Sequence, residues 1–219
     1  MKARYPIGVP LLLALQACVT STVDEVLYAG AEAGLGDASV VILGRRHASD
    51  YDTEPDFIDC VGRHIKSADR SIDILSEPEF MNELYPWFEP RTAPLRPADI
   101  ERLLRVGPVR EKLERLKMEY MVWIDGETTR TEGAGSMTCG IVPGAAGCFG
   151  FGTWGNDANY EAVIWDFTDR EEVGRMSTRA SGQSYMPAVV LPIPFIAPVQ
   201  GTACDGIGDQ LLEFFSAKY

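Results

Sequence analysis

The sequence predicts a single domain of the α/β or α+β class: a mixed β-sheet packed with helices, β-α-β at its start and an antiparallel meander later. Three observations carry this. The apolar run SVVILG at 39–44 ends in glycine and suits a buried strand. Residues 55–68 place Phe57, Val61, Ile65 and Ala68 at helical spacing behind Pro55. Residues 119–131 and 159–182 alternate β-branched, aromatic and polar side chains as strands do.

The elements follow in order. SIDIL at 71–75 alternates as a second strand, so the first three elements form a right-handed parallel crossover. Ser76 followed by Glu79 is a capping-box pattern, opening a helix that runs until Pro86 interrupts it. PADIERLLR and VREKLERLK make one or two further helices, with Gly107-Pro108 as the break. A hairpin about Thr168-Asp169-Arg170 joins the later strands. The chain closes on a helix with Ile207, Leu211, Phe214 and Phe215 on one side.

Between the strands, residues 133–155 hold eight glycines and read as a loop. Gly150, Gly152 and Gly155 have the G-x-G-x-x-G spacing of a phosphate-binding turn. That motif needs a helix N-terminus after it, and the residues that follow are strand-like, so no nucleotide is expected. A kinase reading fails too, because Trp165 stands where AVIW would need lysine and no H-R-D follows. Phe149, Phe151 and Trp154 then either fold back on the sheet edge or form a contact patch. Two other segments join them as a candidate partner surface: Trp87 and Phe88 between Pro86 and Pro90, and the proline-spaced stretch 186–201 with Phe195. Prolines there argue against a central strand and for an extended segment over the core or at an edge.

The 219 residues carry a formal charge of −12. That balance excludes nucleic acid and anionic membrane surfaces as electrostatic partners. No G-x-S-x-G, S-x-x-K or H-E-x-x-H occurs, and no C-x₂-C or H-x₃₋₅-H spacing suggests a metal, so neither metal nor cofactor is expected. His47 sits among charges after the first strand, and Asp50, Asp52, Glu54 and Asp56 make an acidic loop without EF-hand spacing. Cys60 and His64, four apart on one helical face, form the one nucleophile–base pairing available.

The first residues settle which reading of the cysteines to prefer. Lys2 and Arg4 precede a short apolar run, Ile7 to Leu15, too short to span a bilayer and typical of an export signal. Leu15-Gln16-Ala17-Cys18 resembles the lipobox of bacterial lipoproteins, in which the cysteine is acylated and becomes the first mature residue. The expected organisation is a signal peptide over 1–17, an anchor and tether over 18–39 with a short helix about 24–33, and one envelope domain over 40–219. Loss of Lys2 and Arg4 takes the charge from −12 to −14.

With Cys18 used by the anchor, four cysteines remain in an oxidising compartment and read as two disulfides. Cys139 and Cys148 bracket a short segment and suit a local staple; Cys60 and Cys204 pair by elimination. From the lipobox through CVGRHI, PWFEPR, GCFGF, IWDF and LPIPFIAP the chain resembles proteobacterial lipoproteins. Over 40–182, the order of elements with YMVWIDGE and AVIWDFTDREEVG looks like the amino-terminal α/β domains of the CsgG type and of TolB. The chain departs from CsgG in lacking long alternating hairpins, which argues against a pore.

Val19, in place of aspartate, implies by the same resemblance the outer membrane. The expected function is non-enzymatic: a lipid-anchored protein facing the periplasm that binds membrane lipid through acylated Cys18 and scaffolds another envelope protein. The alternative is a periplasmic hydrolase using His47 or His64 with nearby carboxylates.

Overall fold

A computed structural model describes residues 19–27, 38–45, 53–88, 94 and 97–216. Among them lie six strands in one mixed sheet and five helices, in one domain. The strands are β1 (Val19–Leu27), β2 (Ser39–Gly44), β3 (Asp73–Leu75), β4 (Met118–Val142), β5 (Ala145–Asp166) and β6 (Glu171–Pro192). The helices are α1 (Pro55–Ala68), α2 (Glu77–Glu83), α3 (Pro97–Leu104), α4 (Gly107–Arg115) and α5 (Val199–Ser216). The sheet order is β1-β6-β5-β4-β2-β3, with β2 parallel to β3 and β4 and the rest antiparallel. The β-α-β start and the later meander are both present.

Helices lie on the two faces because the strands are apolar on both. One face presents Val40, Ile42, Val122, Ile124, Ala162, Ile164 and Met176 to α1 and α5. The other presents Val41, Leu43, Met121, Trp123 and Trp165 to α2, α3 and α4. The continuous apolar run of β2 is thus buried on each side, as expected of a strand with parallel neighbours. Cys60–Cys204 ties α1 to α5 across 144 residues, and Cys139–Cys148 closes the local staple; both expected disulfides are present.

Three local expectations change. Ser76 precedes α2, yet its hydroxyl makes no bond to the helix amides and instead meets Glu79 Oε2 at 3.5 Å. Gly107-Pro108 begins α4 instead of merely separating two helices, because proline suits the first helical turn. Residues 24–27, expected in a short helix of the tether, belong to β1, where nine residues pair in register with β6; residues 28–37 lie outside the described set. A nine-residue edge ladder satisfies backbone groups that a short isolated helix leaves marginal.

The largest correction concerns 133–155. This stretch is not a loop: it forms the outer halves of β4 and β5, closed by a turn at Pro143-Gly144. Strand β4 has 25 residues, about 80 Å of contour at the usual rise. The chain therefore does carry a long hairpin, contrary to expectation. Strand β6 likewise continues through Met186 and Pro187 to Pro192. Proline is tolerated there because the nitrogen of Pro187 faces the outer edge of β6, away from its β5 partner Phe151. The chain then returns, with Tyr185 and Phe195 exchanging backbone bonds at 2.9 and 2.7 Å.

Candidate functional site

Beyond the row where Val19 pairs with Gly182, β4, β5 and β6 continue as a three-stranded arm clear of α1 to α4. Cys139 and Cys148 are directly opposed in the β4–β5 ladder, with Cα atoms 4.0 Å apart, so the staple locks the register of the hairpin end. Two positions in the arm require glycine. Gly135 (φ +123°) and Gly150 (φ +152°) occupy backbone regions that side chains avoid. A Cβ would lie 2.1 Å from the Phe151 carbonyl oxygen at the first and 2.2 Å from that of Ser136 at the second. Of the G-x-G-x-x-G glycines, Gly150 is needed for close backbone approach, Gly155 makes room for the Thr131 side chain and Gly152 is unconstrained; all three lie within β5 with no helix behind them.

The arm has one covered and one open face. On the covered face Trp154 is 8% exposed, with the Arg130 guanidinium 4.3 Å from its ring. The Ser184 hydroxyl oxygen beside it accepts a bond from the Ala197 amide at 2.9 Å, which lays the segment before α5 over this side. On the open face Phe149 pairs with Val189, and the two are 68% and 70% exposed. Phe151 and Tyr185 stand on the same face with ring centroids 6.1 Å apart. Leu191 continues this face, Ile141 and Val190 are exposed on the opposite face at the end of the arm, and Ile193, Phe195 and Ile196 are exposed in the returning segment.

The six aromatic residues expected on a partner surface therefore divide. Phe149, Phe151 and Phe195 are open; Trp87, Phe88 and Trp154 are packed. Phe88 stacks edge-on against Phe80 with centroids 4.8 Å apart, and Lys112 Nζ lies 5.7 Å from the Trp87 ring. The corner after α2 thus locks that helix to α4. Spacing could not separate these fates, because every one of the six sits in a short proline- or glycine-flanked run. Val189, Leu191 and Ile193 fall in the stretch 186–201 already singled out as a candidate surface; Ile141 was missed, because an exposed strand surface leaves no periodicity that would single it out.

The candidate chemistry does not converge. Cys60 is oxidised in the disulfide, which removes the Cys–His dyad. His64 Nε2 lies 2.7 Å from Asp209 Oδ1 and His64 Nδ1 lies 3.1 Å from Asp205 Oδ1, two carboxylates one turn apart on α5. Both ring nitrogens are thereby engaged, and a general base needs one free. His47, Asp50, Asp52 and Cys18 lie outside the described residues. Glu54 is occupied structurally, accepting the Thr128 amide at 2.9 Å and the Tyr160 hydroxyl at 2.8 Å. A hollow of about 150 Å³ between α1 and β3 is lined by Ile42, Ile58 and Ile74, with Lys66 bonded to the Ile74 carbonyl at 3.0 Å. No group of three or more His, Cys, Asp or Glu placed to hold a metal occurs among the described residues.

Two groups titrate away from their ordinary values. Burial raises the Tyr160 pKa first of all; the bond from Thr128 opposes this and Glu54 adds to it. Burial, then the nearby Asp166 charge, raises the Glu119 carboxyl. Tyr160 lines an open hollow with Arg45, Asp125, Ser177 and Thr178, whose lining contains no histidine or cysteine, and Glu119 sits at the start of β4.

No family model matches the chain, and no curated protein matches it. Among solved structures it is similar to the PelC dodecamer from Paraburkholderia phytofirmans, at 11% identity over 91% of this chain and 100% of that one, with a TM-score of 0.47. A point variant of the same dodecamer matches at 10% identity over 90% and 100%, also with a TM-score of 0.47.

Proposed function

We propose that this chain is an outer-membrane lipoprotein, held by acyl groups on Cys18 and facing the periplasm, whose domain docks on another envelope component without catalysing a reaction. The arm is the observation that carries this reading: its open face gathers exposed apolar side chains that a freely soluble body would bury. Two intact disulfides suit an oxidising compartment. The engagement of both His64 nitrogens by carboxylates favours docking over hydrolysis.

The test is the mass of the mature amino-terminal peptide together with cell fractionation. Acyl groups on residue 18 and recovery with the outer membrane are expected, with Cys18→Ser released to the soluble periplasmic fraction. An unmodified residue 18 in mature protein, or membrane recovery indifferent to Cys18→Ser, overturns the reading.

A further inference from the structure

Three placements meet at the base of the arm. One row of the sheet runs Val19–Gly182–Asn156–Arg130 across β1, β6, β5 and β4. Because β1 is antiparallel to the outward-running β6, its amino-terminal end lies at this row. Residue 18 directly precedes Val19 in the sequence. Charge also stops here: no Asp, Glu, Lys, Arg or His occurs between Glu132 and Asp157, nor between Arg179 and Asp205. Past the row the open face exposes Phe149, Phe151, Val189 and Leu191 toward the end of the arm, with Thr138, Thr153 and Gln183 among its polar members, and Ile193 is exposed in the segment after β6.

We infer that the partner of the arm is the lipid bilayer itself: the open face lies in the interface of the leaflet that holds the Cys18 acyl chains. This rests on the reading of Cys18 as acylated and names the envelope component that reading leaves unspecified. The depth follows from the backbone. On β4, pairing with β2 ends at Ile124, the Glu54 carboxylate takes the Thr128 amide, and among the described residues no strand pairs with that edge farther out. Open rows of amide and carbonyl groups do not enter hydrocarbon, so the arm cannot stand upright across the membrane as one copy.

Asn156 to Ala145 spans about 35 Å of strand, whereas an interfacial element sinks only about 5–10 Å. An arm with its base at the acylated residue and its end in lipid therefore reclines. It places Phe149, Phe151 and Val189 downward and keeps the β4 edge at the wetted level. The covered face, with Trp154 and Arg130, stays toward water. Attraction is apolar, since past Glu132 the arm has no charged side chain and the whole chain is at −12.

The experiment uses the Cys18→Ser chain, which has no acyl group, floated with phosphatidylcholine vesicles at low and high salt. It floats at both. Phe149→Asp with Val189→Asp, paired on the open face, lowers the bound fraction about tenfold or more, as expected for carboxylates entering the interface. Tyr85→Asp, on the exposed surface of the body, leaves it unchanged. Circular dichroism and intact disulfides confirm that each variant is folded. A chain that ignores vesicles without its acyl group, binding lost in high salt, or equal flotation of the double variant overturns the inference. So does an assembly of copies, formed without lipid, that the double substitution disperses. The mass of residue 18 in native protein decides the anchor separately, so the two readings fail independently.

Discussion

The Tyr160 hydroxyl donates to Glu54 at 2.8 Å, joining the middle of β5 to the residue that opens α1. The other oxygen of the same carboxylate accepts the Thr128 amide on β4, and Phe57 stacks on the Tyr160 ring with centroids 3.5 Å apart. This cluster fixes the first turn of α1 against the sheet just inside the base of the arm. Tyr160→Phe removes a hydrogen bond to a charged acceptor and should cost about 1.5–3 kcal/mol in urea unfolding at neutral pH. The pH dependence has a definite sign. The folded pKa of Tyr160 is raised above 10.0, so its contribution is present below pH 10 and is lost as pH climbs beyond it. Melting above pH 10 should fall more steeply for the native chain than for Tyr160→Phe.

Glu119 behaves oppositely to a salt-bridged acid. Its folded pKa is raised above 4.5 by burial and by Asp166, so the protonated form is favoured in the fold. That favourable term is complete below pH 4.5 and fades as pH rises. Glu119→Gln should therefore raise the melting temperature at pH 7, and the gain should shrink as pH is lowered toward 4. An equal gain at both pH values contradicts the assignment.

His64 and Gly208 are coupled by space. A Cβ at Gly208 would come within 2.5 Å of His64 Cδ2, so the glycine in α5 makes room for the ring held by Asp205 and Asp209. Gly208→Ala alone should destabilise the protein. In a His64→Ala background the same change should stabilise it by up to about 1 kcal/mol, through helix propensity. A double-mutant cycle reads the reversal, and additive effects refute it.

The two disulfides should act at different scales. Cys60–Cys204 closes a separation of 144 residues, and its replacement by serines should cost about 5 kcal/mol of global stability on the chain-entropy model. Cys139–Cys148 closes only nine, at the end of the arm. Its loss should speed amide exchange in 133–155 while leaving α1 and α5 protected.

Gly150→Ala should disturb the arm without unfolding the body. The strained backbone and the 2.2 Å approach to the Ser136 carbonyl oxygen force local unpairing of β4 from β5. Amide exchange should accelerate from 133 to 155, and the Phe57–Tyr160 region should keep its protection.

By itself the sequence determined the helices, whose apolar spacing repeats over several turns, and β2, whose unbroken apolar run requires cover on both sides. It also limited the cysteine pairing, because an exported chain with an adjacent pair leaves two partners over. Tertiary structure decided what the glycines are. Glycine has no side chain to alternate, so 133–155 carries no strand period, and only the ladder to β6 shows it as an arm. The ladder also decided which aromatics are open: Trp154 is covered by a segment that begins some forty residues later, while Phe149 beside Val189 stays exposed. His64 looked free for chemistry because its partners arrive from α5, 141 and 145 residues away along the chain. Local pattern encodes local structure; contacts closed over such separations are fixed only when the sheet and its covering helices come together.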